Sequence, residues 1–144
     1  MRRFVFATFN PGKVREVAGI LAGLPIELVG PREVGVDRLP PEDGRDFVDN
    51  AVIKAAHVWA RAGGVPVLAD DSGLEVAALD GAPGIHSARF AGTAQDDAAN
   101  ISKLLDVLRC VPARRARFVC QPACPLGPEA PVGVVPGGGS RCPG

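Results

Sequence analysis

The segment RFVFATFNPGKVREVAGIL, residues 3 to 21, decides the fold. Arg3 to Thr8 is a short apolar, aromatic-containing run, and it ends in the turn-forming Asn10-Pro11-Gly12. That pattern predicts a buried strand followed by a loop. From Val14 the apolar positions Val14, Val17, Ala18 and Leu21 recur at the spacing of one helical face, until Gly23 and Pro25 stop them. A strand feeding a helix through a tight polar turn is the opening of an α/β unit.

Working outward, Ile26 to Val29 reads as a second strand, and Pro31 to Gly44 as a loop carrying Glu33, Asp37, Glu42 and Asp43. A helix is expected from about Asp46 to Arg61, with Phe47, Ala51, Ala55 and Val58 on its apolar face and Gly63-Gly64 closing it. Trp59 is read as a core or edge residue of that helix. Val65 to Ala69 is the next strand, interrupted by Asp70-Asp71-Ser72-Gly73 before Leu74 to Leu79 resumes the apolar run. Gly81 to Gly92 reads as a loop, and Thr93 with Asp96 as a capping box for a helix whose face is Ile101, Leu104, Leu105 and Leu108. Arg115 to Cys120 is a last strand. Strands alternating with helices predict an α/β fold with a central mixed sheet and packed helices. From Gln121 onward twelve of twenty-four residues are Gly or Pro and no apolar periodicity survives, so residues 1–120 are read as the domain and 121–144 as a disordered tail.

The composition narrows the function. Sixteen basic and sixteen acidic side chains cancel in 144 residues, without a basic run, which argues against nucleic-acid binding. No apolar run approaches membrane-spanning length, and the apolar stretch after Arg2-Arg3 is too short for a signal peptide, so a cytoplasmic location is the expectation. Cys110, Cys120, Cys124 and Cys142 all lie in the last third, unlike a disulfide framework, and are read as reduced thiols.

Two places carry chemistry. In ATFNPGK, backbone N–H groups at a helix N-terminus join the Thr8 hydroxyl, the Asn10 amide and the Lys13 ammonium in a compact set suited to phosphate. It is not a Walker A loop, because the glycine spacing differs and no Ser or Thr follows Lys13. The second place pairs Glu42 with Asp70-Asp71. Mg²⁺ takes one or two carboxylates and completes its shell with water and substrate phosphates. A carboxylate beside such a metal can also accept the proton of an attacking water. Asp70 could orient water or simply fix Asp71. Asn50 and Lys54 share a helical face, and either phosphate contact or a bridge to the acidic loop fits them. For His86 and Arg89 a structural or dimer-contact role is the expectation.

Taken in order, ATFNPGK, Glu42 ahead of FVDNAVIKA, ADDSGL, and GAPGIHSARFAG from Gly81 to Gly92 resemble the inosine triphosphate pyrophosphatase family. The resemblance covers residues 1 to about 120. It implies hydrolysis of inosine, deoxyinosine and xanthosine triphosphates to the monophosphate and pyrophosphate, with Mg²⁺, by a homodimer. It further implies that Thr8, Phe9, Asn10, Pro11, Gly12 and Lys13 bind substrate and that Ser72 contacts the nucleotide. Glu42 and Asp71 would hold the metal, with Asp71 as proton acceptor. The family's later base-pocket segments have no counterpart here, and the chain has no tyrosine, so a C-terminally truncated version of that fold is expected.

Overall fold

The computed structural model describes residues 1–125, 132–134 and 140–141. It contains two compact units, Met1–Asp71 with Gln121–Pro136, and Ser72–Cys120 with Gly137–Gly144.

In the first unit β1 (Arg2–Phe6) leads through α1 (Pro11–Ile20) to β2 (Ile26–Val29), and α2 (Phe47–Trp59) leads to β3 (Val67–Val76), whose first half lies here. β1 pairs parallel to β2, with Arg2 opposite Ile26, and parallel to β3, with Val5 opposite Val67. Parallel neighbours joined by helices form a sheet buried on its faces. Val5, Ala7, Val67 and Ala69 are accordingly buried, in one cluster with Ala51, Ala55 and Val58 of α2. Trp59 packs at the margin of this cluster.

Both helices begin where their caps place them. Asn10 caps α1, with its side chain accepting from the N–H groups of Gly12 and Lys13. Helix α1 therefore starts at Pro11, three residues before the first apolar repeat, because proline suits the first helical turn. Asp46 caps α2 by accepting from the Asp49 N–H. Beyond α2, Gly63 and Gly64 adopt φ of 59° and 89°, a left-handed geometry that side chains disfavour.

The second unit holds the rest of β3, a 3-10 helix Gly84–Arg89, α3 (Asp97–Val107) and the first half of β4 (Ala116–Pro125). Ser87 ties this 3-10 segment to β3: its hydroxyl accepts from the Leu74 N–H at 2.9 Å and donates to the Gly84 carbonyl at 2.6 Å. The Asn100 amide bridges Ala88 and Ala91, and Lys103 lies over the Phe90 ring. The α3 cap is Asp96, which accepts from Ala99, so the predicted start at Thr93 is three residues early. Of the predicted α3 face only Leu108 is buried, while Ile101 and Leu105 are exposed.

Two further readings are corrected. Asp70 to Gly73 does not interrupt a strand, since β3 runs unbroken from Val67 to Val76. Extended backbone needs only its ladder bonds, so a carboxylate can occupy a buried strand position when charges face it. The expected domain end at Cys120 falls inside β4, which continues to Pro125 with Ala123 buried in the core. Past that point, β5 (Val132–Val134) pairs antiparallel with the end of β4, and β6 (Ser140–Arg141) with its beginning. The rest of the expected tail, residues 126–131, 135–139 and 142–144, lies outside the described residues.

Candidate active site

The buried polar side chains of the first unit are concentrated where β1 and β3 give way to polar sequence. Thr8, Asn50, Lys54, Asp70 and Asp71 are all buried there, each 9% exposed or less. Alternation along β3 puts Asp71 on the same face as Ala69 and Val67, the face packed on α2, and Asp70 on the other. The two adjacent carboxylates therefore meet different lysines.

Lys54 sits on α2 one turn after Asn50, and its ammonium lies 3.3 Å from Glu42 Oε1 and 3.9 Å from Asp71 Oδ1. Lys13, in the first turn of α1, places its ammonium 2.9 Å from Asp70 Oδ2. Three carboxylates thus share two ammonium groups. Asp71 feels the deficit: burial pushes its carboxyl up to about 6, Lys54 pulls it back, Glu42 pushes it further, and Asn50 and Lys13 favour the ionised form. Asp71 Oδ2 is buried with no hydrogen-bond partner, and so is Asn50 Nδ2. Asn50 faces Asp71 and favours its ionised form.

The turn Thr8 to Lys13 is held by its own polar groups. The Thr8 hydroxyl accepts from the Asn10 N–H at 3.1 Å, and Asn10 Oδ1 accepts from Gly12 at 2.9 Å and Lys13 at 3.3 Å. Those groups are engaged in holding the turn, which leaves the Lys13 ammonium as its partly exposed cation. Phe9 lies at the surface with its ring 4.9 Å from the Arg32 guanidinium. Ser72 is half-buried, the next residue of β3 and the first of the second unit. His86 and Arg89 are exposed on the 3-10 helix of the second unit.

The sequence left two roles open and missed a third. Lys54 bridges the helix to the acidic loop through Glu42, and Asn50 accepts from the Gly44 N–H at 2.8 Å. Gly44 was not singled out, although a glycine between the acidic loop and a helix cap was a signal of close backbone approach.

The oxygen donors fit a hard divalent cation. Glu42 and Asp71 converge on one ammonium, and the partnerless Asp71 Oδ2 is an anionic atom that burial makes costly without a cation. Among the described residues no group of three or more His, Cys, Asp or Glu side chains gathers into a closed metal cage. Two carboxylates with remaining positions for water and phosphate is the pattern Mg²⁺ takes.

Fold and site together define an α/β protein with a carboxylate–lysine cluster just past the parallel pairing of β1 with β3. The chain belongs to the Ham1 family, whose sequence profile matches residues 4–137. It is 50% identical over 137 residues to a dITP/XTP pyrophosphatase of Xanthomonas oryzae pv. oryzae, covering 94% of this chain and 68% of that protein. It is also 50% identical over 122 residues to a dITP/XTP pyrophosphatase of Yersinia pseudotuberculosis, covering 83% of this chain and 61% of that one. The Staphylococcus aureus Ham1 protein superposes with a TM-score of 0.81 at 39% identity, over 97% of this chain and 70% of that one. A nucleoside-triphosphatase / dITP/XTP pyrophosphatase from Mycobacterium abscessus gives 0.78 at 39%, over 96% and 72%. The likeness thus passes beyond residue 120, where the motifs alone had placed its end, and the chain spans about two thirds of the length of these relatives. Among the described residues no helix is long and apolar enough to cross a membrane.

Proposed function

We propose that the chain hydrolyses non-standard purine nucleoside triphosphates, those of inosine, deoxyinosine and xanthosine, to the monophosphate and pyrophosphate. The observation that carries this reading is the convergence of Glu42 and Asp71 on Lys54, beside the Lys13–Asp70 pair, in a chain half identical to dITP/XTP pyrophosphatases. Glu42 and Asp71 would hold Mg²⁺, which when bound offsets charge on phosphoryl oxygens. Lys13, partly exposed in the first turn of α1, is placed to trade Asp70 for a phosphate oxygen. Lys54 keeps Glu42 and Asp71 together and favours the ionised form of Asp71.

The reaction adds the oxygen of water to phosphorus and breaks the anhydride bond between the α- and β-phosphates. One proton of the water passes to a carboxylate, and Asp71, whose burial raises its proton affinity, is the acceptor we assign. The Phe9, Pro11, Gly12 and Ser72 contacts to substrate, the homodimer and the cytoplasmic setting belong to the same proposal and rest on the family resemblance.

Product analysis tests the assignment. Incubation of the folded chain with inosine triphosphate should yield inosine monophosphate and pyrophosphate in equal amounts. Diphosphate with orthophosphate would place the cleavage at the wrong bond, and binding without turnover would leave a nucleotide-binding module.

A further inference from the structure

Asn50 has 0% exposure, lies one turn before Lys54, and takes part in the site through two different atoms. Its Oδ1 accepts from the Gly44 N–H at 2.8 Å. The approach is closed: a Cβ on Gly44 would meet Asn50 Oδ1 and Asp49 Cβ at 2.6 Å each and the Asn50 backbone nitrogen at 3.0 Å. Only glycine fits at 44 while Asn50 stays where it is. Glu42 is two residues upstream, so the same contact fixes the stretch of loop that delivers its carboxylate to Lys54. The other end of the amide, Nδ2, is buried without a hydrogen-bond partner and favours the ionised form of Asp71. A buried donor left unsatisfied is costly, so packing alone does not explain a polar side chain here.

We infer that Asn50 is a positioning residue for the divalent-cation site, a latch that sets the Glu42 loop through Gly44 while its amide faces Asp71. The inference rests on the reading of Glu42 and Asp71 as cation ligands. Partners behind metal ligands set ligand orientation, and losing one weakens metal binding about 10- to 100-fold.

The test uses the full chain and Mn²⁺ alone, with free Mn²⁺ followed by electron paramagnetic resonance, and amide hydrogen exchange at Gly44 followed in metal-free protein. Asn50→Ala should bind Mn²⁺ about tenfold more weakly, and its Gly44 amide should exchange faster. Asn50→Asp, which keeps an acceptor for Gly44, should restore slow exchange. Gly44→Ala should also weaken Mn²⁺ binding, and the Gly44→Ala/Asn50→Ala double variant should lose less than the two single losses combined, because they break one contact. Leu108→Ala, a buried change in the second unit, should leave the affinity of folded protein unchanged. Wild-type Mn²⁺ affinity in folded Asn50→Ala or Gly44→Ala would overturn the latch. If Asn50→Ala does not fold, Gly44→Ala decides. Absence of Mn²⁺ binding by the wild-type chain would instead defeat the cation reading, and unchanged Gly44 exchange in Asn50→Ala would then overturn the latch independently.

Discussion

The Lys54 ammonium lies 3.3 Å from Glu42 Oε1, joining a buried helix position to a half-buried loop carboxylate twelve residues earlier. That contact makes Lys54 the keystone of the metal-free site, because Asp71 shares the same cation. Lys54→Met removes the positive charge and leaves two carboxylates facing each other. Breaking a buried ion pair by deleting one partner destabilises by about 3 kcal/mol or more. Urea denaturation of the metal-free variant should show a loss of that order, and Mg²⁺ should recover part of it.

Asp71 gives stability a pH dependence of definite sign. Its carboxyl is raised from 3.8 to about 6 in the folded chain, chiefly by burial. The folded state therefore holds this proton more tightly than the unfolded state. The resulting stabilisation is full below the unfolded value of 3.8 and is lost as pH rises through about 6. Asp71→Asn removes the effect, so at pH 7 the metal-free variant should be more stable than wild type by on the order of 3 kcal/mol. The difference should shrink toward pH 4 in thermal melts of metal-free protein.

Lys13 separates binding from stability. Its pair with Asp70 is partly exposed, and such pairs contribute about 1 kcal/mol or less. Lys13→Ala should therefore fold nearly normally. If the ammonium transfers to a phosphate oxygen in the complex, the loss of one charged hydrogen bond should raise KM about tenfold. Steady-state kinetics beside a denaturation curve checks both halves of this statement.

Asn10 does the opposite. Its Oδ1 serves two N–H groups at the start of α1, so Asn10→Ala should cost about 1 kcal/mol through loss of the cap. The freed turn should also displace Lys13. A lowered melting temperature together with a raised KM is the expected result, whereas Lys13→Ala should change KM alone.

How much of this was legible in the sequence depended on whether the signal was local. Strand β1 and helix α2 were readable because an apolar run ending in a turn and helical spacing are properties of a few consecutive residues, and Asp70-Asp71 stood out as carboxylates in an apolar run, whereas Glu42 was singled out only through the family resemblance. The Lys13–Asp70 pair spans 57 positions, and nothing local says which lysine meets which aspartate. The continuity of β3 was hidden for the same reason: buried Asp71 is tolerated only because Lys54 faces it from another element. That Thr8 and Asn10 also hold their own turn, by accepting from its N–H groups, was not read from the sequence. In α3 periodicity identified the helix correctly and failed on burial, since Ile101 and Leu105 are exposed. Gly44 carried no periodic signal at all, and its role emerges only from its 2.8 Å hydrogen bond to Asn50 Oδ1, which leaves no room for a Cβ.

The central claim is that Glu42 and Asp71 form the metal-dependent centre of a triphosphate pyrophosphatase. It is tested most directly by pyrophosphate release from inosine triphosphate with and without Mg²⁺, on folded wild type and folded Asp71→Asn. The account predicts release that requires Mg²⁺ and falls by at least about 100-fold in the variant, the usual scale for a general base. Release that proceeds without metal, or that survives in Asp71→Asn, would contradict it.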